Sequence, residues 1–168
     1  EGNHPLSHAL ASAEIACKAA KDRGRNRVET YYDGDQSIVR RYTDLTLIGT
    51  VRSALLDQRF RLEAQSVVSF GDAPAAPKFE LLLRMSDEQG ESVPPEKFLS
   101  AAERYQLAPA IDRWVVRRTI EMLTPHAARL QEIQAGFAVN ISGQSLGDAE
   151  FAAFMDTTLR DSKLPRGL

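Results

Sequence analysis

From Phe60 onward the sequence predicts an α/β domain, and two patterns carry that reading. Short blocks at Lys78–Met85 and Gly136–Ser142 alternate apolar residues with others, as a strand with two unlike faces requires. Longer segments between and after them, Pro95–Tyr105, Ala110–Leu123 and Asp148–Ser162, read as helices, the first opened by its proline. The order strand, strand, helix, helix, strand, helix predicts largely parallel pairing. With 43% hydrophobic and 26% charged residues over 168 positions, the chain can build one ordinary domain or pieces of two.

Taken in order, the first element is a helix over Leu6–Lys21. Leu6, Ala9, Leu10, Ala13, Ala16, Cys17 and Ala20 form a small-residue apolar face, and Gly24 supplies the stop. A short strand over Arg27–Tyr32 follows, ending at the turn signal Asp33-Gly34-Asp35. A second helix, Gln36–Arg59, carries Ile38, Tyr42, Leu45, Ile48, Val51 and Leu55 at near-heptad spacing. That stripe fits a helix lying on its own domain as well as a connecting or dimerising helix.

Beyond it, Phe60–Phe70 is a strand and Gly71–Pro77 an Ala- and Pro-rich loop. Lys78–Met85 is a strand and Ser86–Ser92 a polar turn. Pro95 opens a helix through Tyr105, where its missing N–H costs nothing. Ala110–Leu123 is a helix, Pro125 disturbs its continuation, Gly136–Ser142 is a strand, and Asp148–Ser162 is the last helix.

Composition narrows the function classes. A net charge of −2, with Lys and Arg dispersed among acids, does not predict a general DNA- or RNA-binding surface. A lone cysteine, Cys17, excludes an internal disulfide and fits a reducing compartment. His4 and His8 flank Pro5 and read as incidental, and His126 stands apart from both. No stretch is apolar enough to span a bilayer. The start at Glu1 looks cut from something longer.

Four residues stand out chemically. Glu80, Leu82 and Arg84 share one face of their strand, opposite Phe79, Leu81, Leu83 and Met85. An acid and a base in so apolar a strand either lie on a wet face or pair with each other, or else hold a metal ion and grip an anion. Asn140 shares a face with Ala138 and Ser142, and its amide either hydrogen-bonds a neighbour or offers its oxygen to a hard cation. Gln65, on a face with Arg61, Glu63 and Val67, either reads a base edge or is simply solvated.

At these residues the sequence resembles a known family. Phe79-Glu80-Leu81-Leu82-Leu83-Arg84 is similar to the signature strand of EAL domains, with Leu81 where the naming alanine stands and Ser66 where a proline is common. Val93-Pro94-Pro95-Glu96-Lys97-Phe98-Leu99, Ile111-Asp112-Arg113-Trp114-Val115-Val116 and Val139-Asn140-Ile141-Ser142-Gly143-Gln144-Ser145-Leu146 resemble the blocks that follow it. Ala16-Cys17-Lys18-Ala19-Ala20-Lys21 and Gly24-Arg25-Asn26-Arg27-Val28 resemble the end of a GGDEF domain, without its signature.

The resemblance implies an incomplete (β/α)8 TIM-like barrel preceded by a helix-strand tail and a linker helix. The implied divisions are 1–34, the GGDEF-like end; 35–58, the linker; and 59–168, the front of the EAL domain. It makes Glu80 and Asn140 metal ligands, Arg84 a phosphate contact and Gln65 a nucleotide contact, with two Mg²⁺ or Mn²⁺ ions. The implied activity is that of a bacterial second-messenger phosphodiesterase hydrolysing cyclic di-GMP to a linear dinucleotide. The alternative is a degenerate domain that acts as a cyclic di-GMP receptor or a dimerising regulatory module. The family's remaining carboxylates and lysine fall on later strands, so this segment alone is expected to be inactive. A cytoplasmic setting, with a parent protein open to membrane tethering, and self-association through the linker or the EAL part complete the expectation.

Overall fold

The computed structural model describes residues 10, 12–14, 16, 17, 20, 21, 26–30, 36–70 and 76–165, with backbone alone for 36–43. The chain divides into two compact units, Glu1–Gly49 and Thr50–Leu168. In the first, the described residues from 10 to 21 are helical, whereas 28–30 have no regular structure and Val28 is 91% exposed. The strand expected there is therefore absent from its described part, and its remainder and the turn at 33–35 lie outside the described residues. A strand exists through its ladder, and the strands of the described residues all belong to one sheet that starts at Phe60.

Helix α1 spans Gln36–Leu56. Among its described side chains Asp44, Ile48, Val51 and Ala54 are buried; Ile48 and Val51 lie on the expected seam, whereas Leu45, also of that seam, is 46% exposed. In the second unit Arg59 ties the end of α1 to the sheet. Its Nη1 donates to the Ser86 carbonyl at 3.0 Å and its Nη2 to the Ser53 hydroxyl.

The sheet has four strands: β1 (Phe60–Val67), β2 (Lys78–Ser86), β3 (Ser92–Val93) and β4 (Gly136–Val139). β2 is its centre. β1 pairs with it antiparallel from Phe60↔Met85 to Val67↔Lys78, β3 pairs antiparallel at its far end, and β4 pairs parallel from Lys78↔Gly136 to Leu81↔Val139. Largely parallel pairing thus holds only for β2 and β4, and chain connectivity explains why. Only ten residues, 68–77, connect β1 to β2, and a parallel return needs a crossover of a dozen or more residues, usually helical. Between β2 and β4 the chain has such a crossover, built from α2 (Pro95–Arg104), α3 (Ala108–Leu123), a 3₁₀ turn at Thr124–His126 and α4 (Ala127–Glu132). After β4 come a short α5 (Gly143–Leu146), which the sequence reading missed, and α6 (Ala149–Asp161).

Local chemistry places these elements. Pro95 sits in the first turn of α2, where no N–H is needed, and Glu96 in the same turn suits the helix dipole. Phe98, Ala101 and Ala102 are the buried stripe of α2. Asp148 caps α6 by accepting from the Glu150 N–H at 2.9 Å. Gln58, Gln106 and Gln134 take left-handed φ of 55°, 60° and 53° just past three helix ends. In each case the next N–H reaches back to an orphan helix carbonyl: Arg59 to Ala54, Leu107 to Ala102 and Ala135 to Leu130.

The core lies on one side of the sheet. Phe60, Leu81 and Met85 pack with Phe98 of α2 and with Ile111, Val115 and Val116 of α3, all 5% exposed or less. Phe60 meets the rings of Phe98 and Trp114 at centroid distances of 5.8 and 5.4 Å. Burying each such side chain contributes about 1.5–3 kcal/mol.

Candidate functional site

The register puts all four candidate residues on one face. Directly paired residues point the same way, so Gln65↔Glu80 and Arg61↔Arg84 align β1 with β2. Across the parallel pair Glu80↔Ala138, Asn140 lies two residues further on, on the same side. Phe79 and Phe137 stack at 5.4 Å on the opposite face. Glu80 and Arg84 are half-buried, and Gln65 and Asn140 are exposed.

Glu80 and Arg84 do not pair with each other. The Asn140 amide nitrogen donates to Glu80 Oε1 at 2.7 Å, joining side chains 60 residues apart in sequence. Arg84 Nε donates to Glu63 Oε2 at 2.8 Å, and Arg61 Nε to Glu63 Oε1 at 3.2 Å. The two guanidinium groups, Arg61 first and then Arg84, hold the Glu63 carboxyl below its ordinary range. Gln65 stands beside Glu80 in register.

The Glu80–Asn140 contact fits a hard cation. Turning the Asn140 amide about its Cβ–Cγ bond exchanges its nitrogen for its oxygen, and carboxylate and amide oxygens from adjacent strands suit Mg²⁺ or Mn²⁺. Among the described residues no group of three or more His, Cys, Asp or Glu side chains converges. These two residues would therefore be a partial ligand set for an ion that keeps water or other ligands. A cavity that Asn140 borders and Glu80 does not is lined also by Arg84, Leu99, Ile111, Asp112 and Ser142, among others.

Two participants carried no assigned role from sequence. Glu63 fixes Arg84, and its signal was its place on the Gln65 face opposite Leu82. Asp112 is 7% exposed and lies on the buried stripe of α3, with Ala108, Ile111, Val115 and Val116. A carboxylate at a core position of an amphipathic helix is the sequence signal that marks it.

The family model of the EAL domain matches residues 48–168. A cyclic di-GMP phosphodiesterase, PdeB of Shewanella oneidensis, is 30% identical over 138 residues, which is 82% of this chain and 16% of that protein. The biofilm architecture maintenance protein MbaA of Vibrio cholerae is 31% identical over 156 residues, 92% of this chain and 19% of its own length. Among solved structures, the EAL domain of FimX from Pseudomonas aeruginosa bound to c-di-GMP superposes with a TM-score of 0.61 at 34% identity. That match covers 71% of this chain and 46% of the FimX chain. The chain thus spans under a fifth of these curated relatives and just under half of the solved domain.

Proposed function

The chain belongs to the EAL domain family, and from that premise we propose that it supplies part of a metal-dependent cyclic di-GMP phosphodiesterase site. One observation carries the proposal. Glu80 and Asn140, on strands joined by a long helical crossover, meet at 2.7 Å on the sheet face that also carries Arg84 and Gln65. The relatives named as cyclic di-GMP phosphodiesterases, and the FimX domain bound to c-di-GMP, indicate the ligand.

In this reading Glu80 and Asn140 hold the divalent ions. Arg84, aimed by Glu63, presents its planar fork to a phosphate of the ligand, and Gln65 reads the nucleotide with an amide that both donates and accepts. When bound, such ions supply an activated water and charge stabilisation at the leaving oxygen. The chain's own contribution is position: two neighbouring strands set the oxygens, and an ion pair orients the guanidinium.

The domain organisation belongs to the same proposal. Residues 1–34 form the end of a GGDEF domain, 35–58 a linker helix and 59–168 the front of an incomplete EAL barrel, all in the cytoplasm, with self-association through the linker helix or the EAL part. No helix of the described residues is long and apolar enough to cross a membrane.

The test is hydrolysis of cyclic di-GMP to the linear dinucleotide, in Mg²⁺ or Mn²⁺, by the protein that carries this chain. We expect cleavage by the wild type and its abolition in Glu80→Ala. A wild type that binds cyclic di-GMP without cleaving it contradicts the hydrolase reading and leaves a receptor.

A further inference from the structure

The strongest polar cluster in the described residues is not among the four candidates. Asp112 is buried on α3, and a single oxygen, Oδ2, accepts three hydrogen bonds from the turn that follows β4. The Ser142 N–H donates at 3.0 Å, the Ser142 hydroxyl at 2.6 Å and the Ser145 hydroxyl at 2.6 Å. A buried carboxylate is expensive unless it is hydrogen-bonded, and here Oδ2 is satisfied by donors of that turn.

That turn begins two residues after Asn140. Ser142 is also the N-cap of α5, its hydroxyl accepting from the Ser145 N–H at 3.3 Å. On the other side, Gln144 Nε2 donates to the Glu103 carbonyl of α2 at 2.5 Å. The backbone leaving β4 is thus fixed from α3 and from α2. β4 ends at Val139, so Asn140 has no ladder partner of its own. Its place against Glu80 depends on where Ile141 and Ser142 are held.

We infer that Asp112 is a positioning residue, fixing through the Ser142–Ser145 turn where the Asn140 amide stands relative to Glu80. The inference rests on the reading of Glu80 and Asn140 as ion ligands, and it adds the group that sets their spacing. Second-layer partners of metal ligands commonly govern affinity by about 10- to 100-fold.

The test uses the full chain with Mn²⁺ as the probe and two readouts. One is Mn²⁺ affinity by titration calorimetry. The other, recorded without the ion, is the side-chain amide resonance of Asn140, which reports its hydrogen bond to Glu80. Asp112→Ala is expected to lower Mn²⁺ affinity about 10- to 100-fold and to move the amide resonance toward its position in Glu80→Ala. Asp112→Asn keeps an acceptor oxygen and is expected to restore both. The inference is overturned if Asp112→Ala leaves the amide resonance at its wild-type position, or if Asp112→Asn loses as much as Asp112→Ala. Should Asp112→Ala fail to fold, Ser145→Ala removes one of the three donors and carries the same comparison: a shifted resonance supports the inference and an unmoved one overturns it. If Glu80→Ala leaves Mn²⁺ affinity unchanged, the ion-ligand reading is the one that falls, while the amide resonance still decides the positioning role.

Discussion

Leu81 and Met85 are 3% and 0% exposed, whereas Glu80 and Arg84, their immediate neighbours in sequence on the other face of β2, stand partly in solvent and hold polar partners. One strand therefore does two jobs. Its inner face joins Phe60, Phe98 and Ile111 in a core where the driving force is area removed from water. Its outer face collects Gln65, Glu80, Arg84 and Asn140, where little apolar area is buried and the geometry comes from strand register and a few hydrogen bonds. The core and the polar cluster are thus built from alternate residues, so substitutions one position apart should separate stability from the proposed ligand binding.

The largest effect is expected on the inner face. Met85→Ala removes a fully buried side chain and should cost about 2–5 kcal/mol of unfolding free energy in a urea titration. A cost below about 1 kcal/mol would mean that the inner face is not the core described here. A much smaller effect belongs to the outer face and to pH. Arg61 and Arg84 hold the Glu63 carboxyl below its ordinary 4.5, so the pairing stabilises the fold above that pH. The contribution is lost as pH falls below 4.5 through the lowered value, and Glu63→Gln should flatten that part of the stability–pH curve. Because Glu63 is exposed, the difference between wild type and variant should shrink in high salt. A difference that persists unchanged at 1 M salt would contradict the solvent-exposed pairing.

The sequence made much of this legible because period-two alternation separates the faces of a strand without any knowledge of its neighbours. It grouped Glu80 with Arg84 and set both apart from Leu81 and Met85, and the structure keeps that division. Pairing partners were not legible, because they depend on register between distant segments. Arg84 finds Glu63 across β1 and Glu80 finds Asn140 across β4, rather than each other. Strand direction was misjudged for β1, where the ten-residue connection 68–77 is too short for a parallel crossover and imposes an antiparallel return. Asp112 was quoted only within a family block, because its role appears when α3 is laid against the turn after β4.

The most direct measurement compares neighbours on the two faces, Glu80→Ala and Leu81→Ala, in the protein that carries this chain. Each is assayed for thermal unfolding and for cyclic di-GMP binding with Mn²⁺ by calorimetry. Glu80→Ala is expected to keep the wild-type Tm and to lose Mn²⁺-dependent binding. Leu81→Ala is expected to lower the Tm by several degrees and, below its melting point, to bind as the wild type does. A Glu80→Ala variant that melts as early as Leu81→Ala yet binds cyclic di-GMP with unchanged affinity and ion dependence would contradict the division of labour between the two faces.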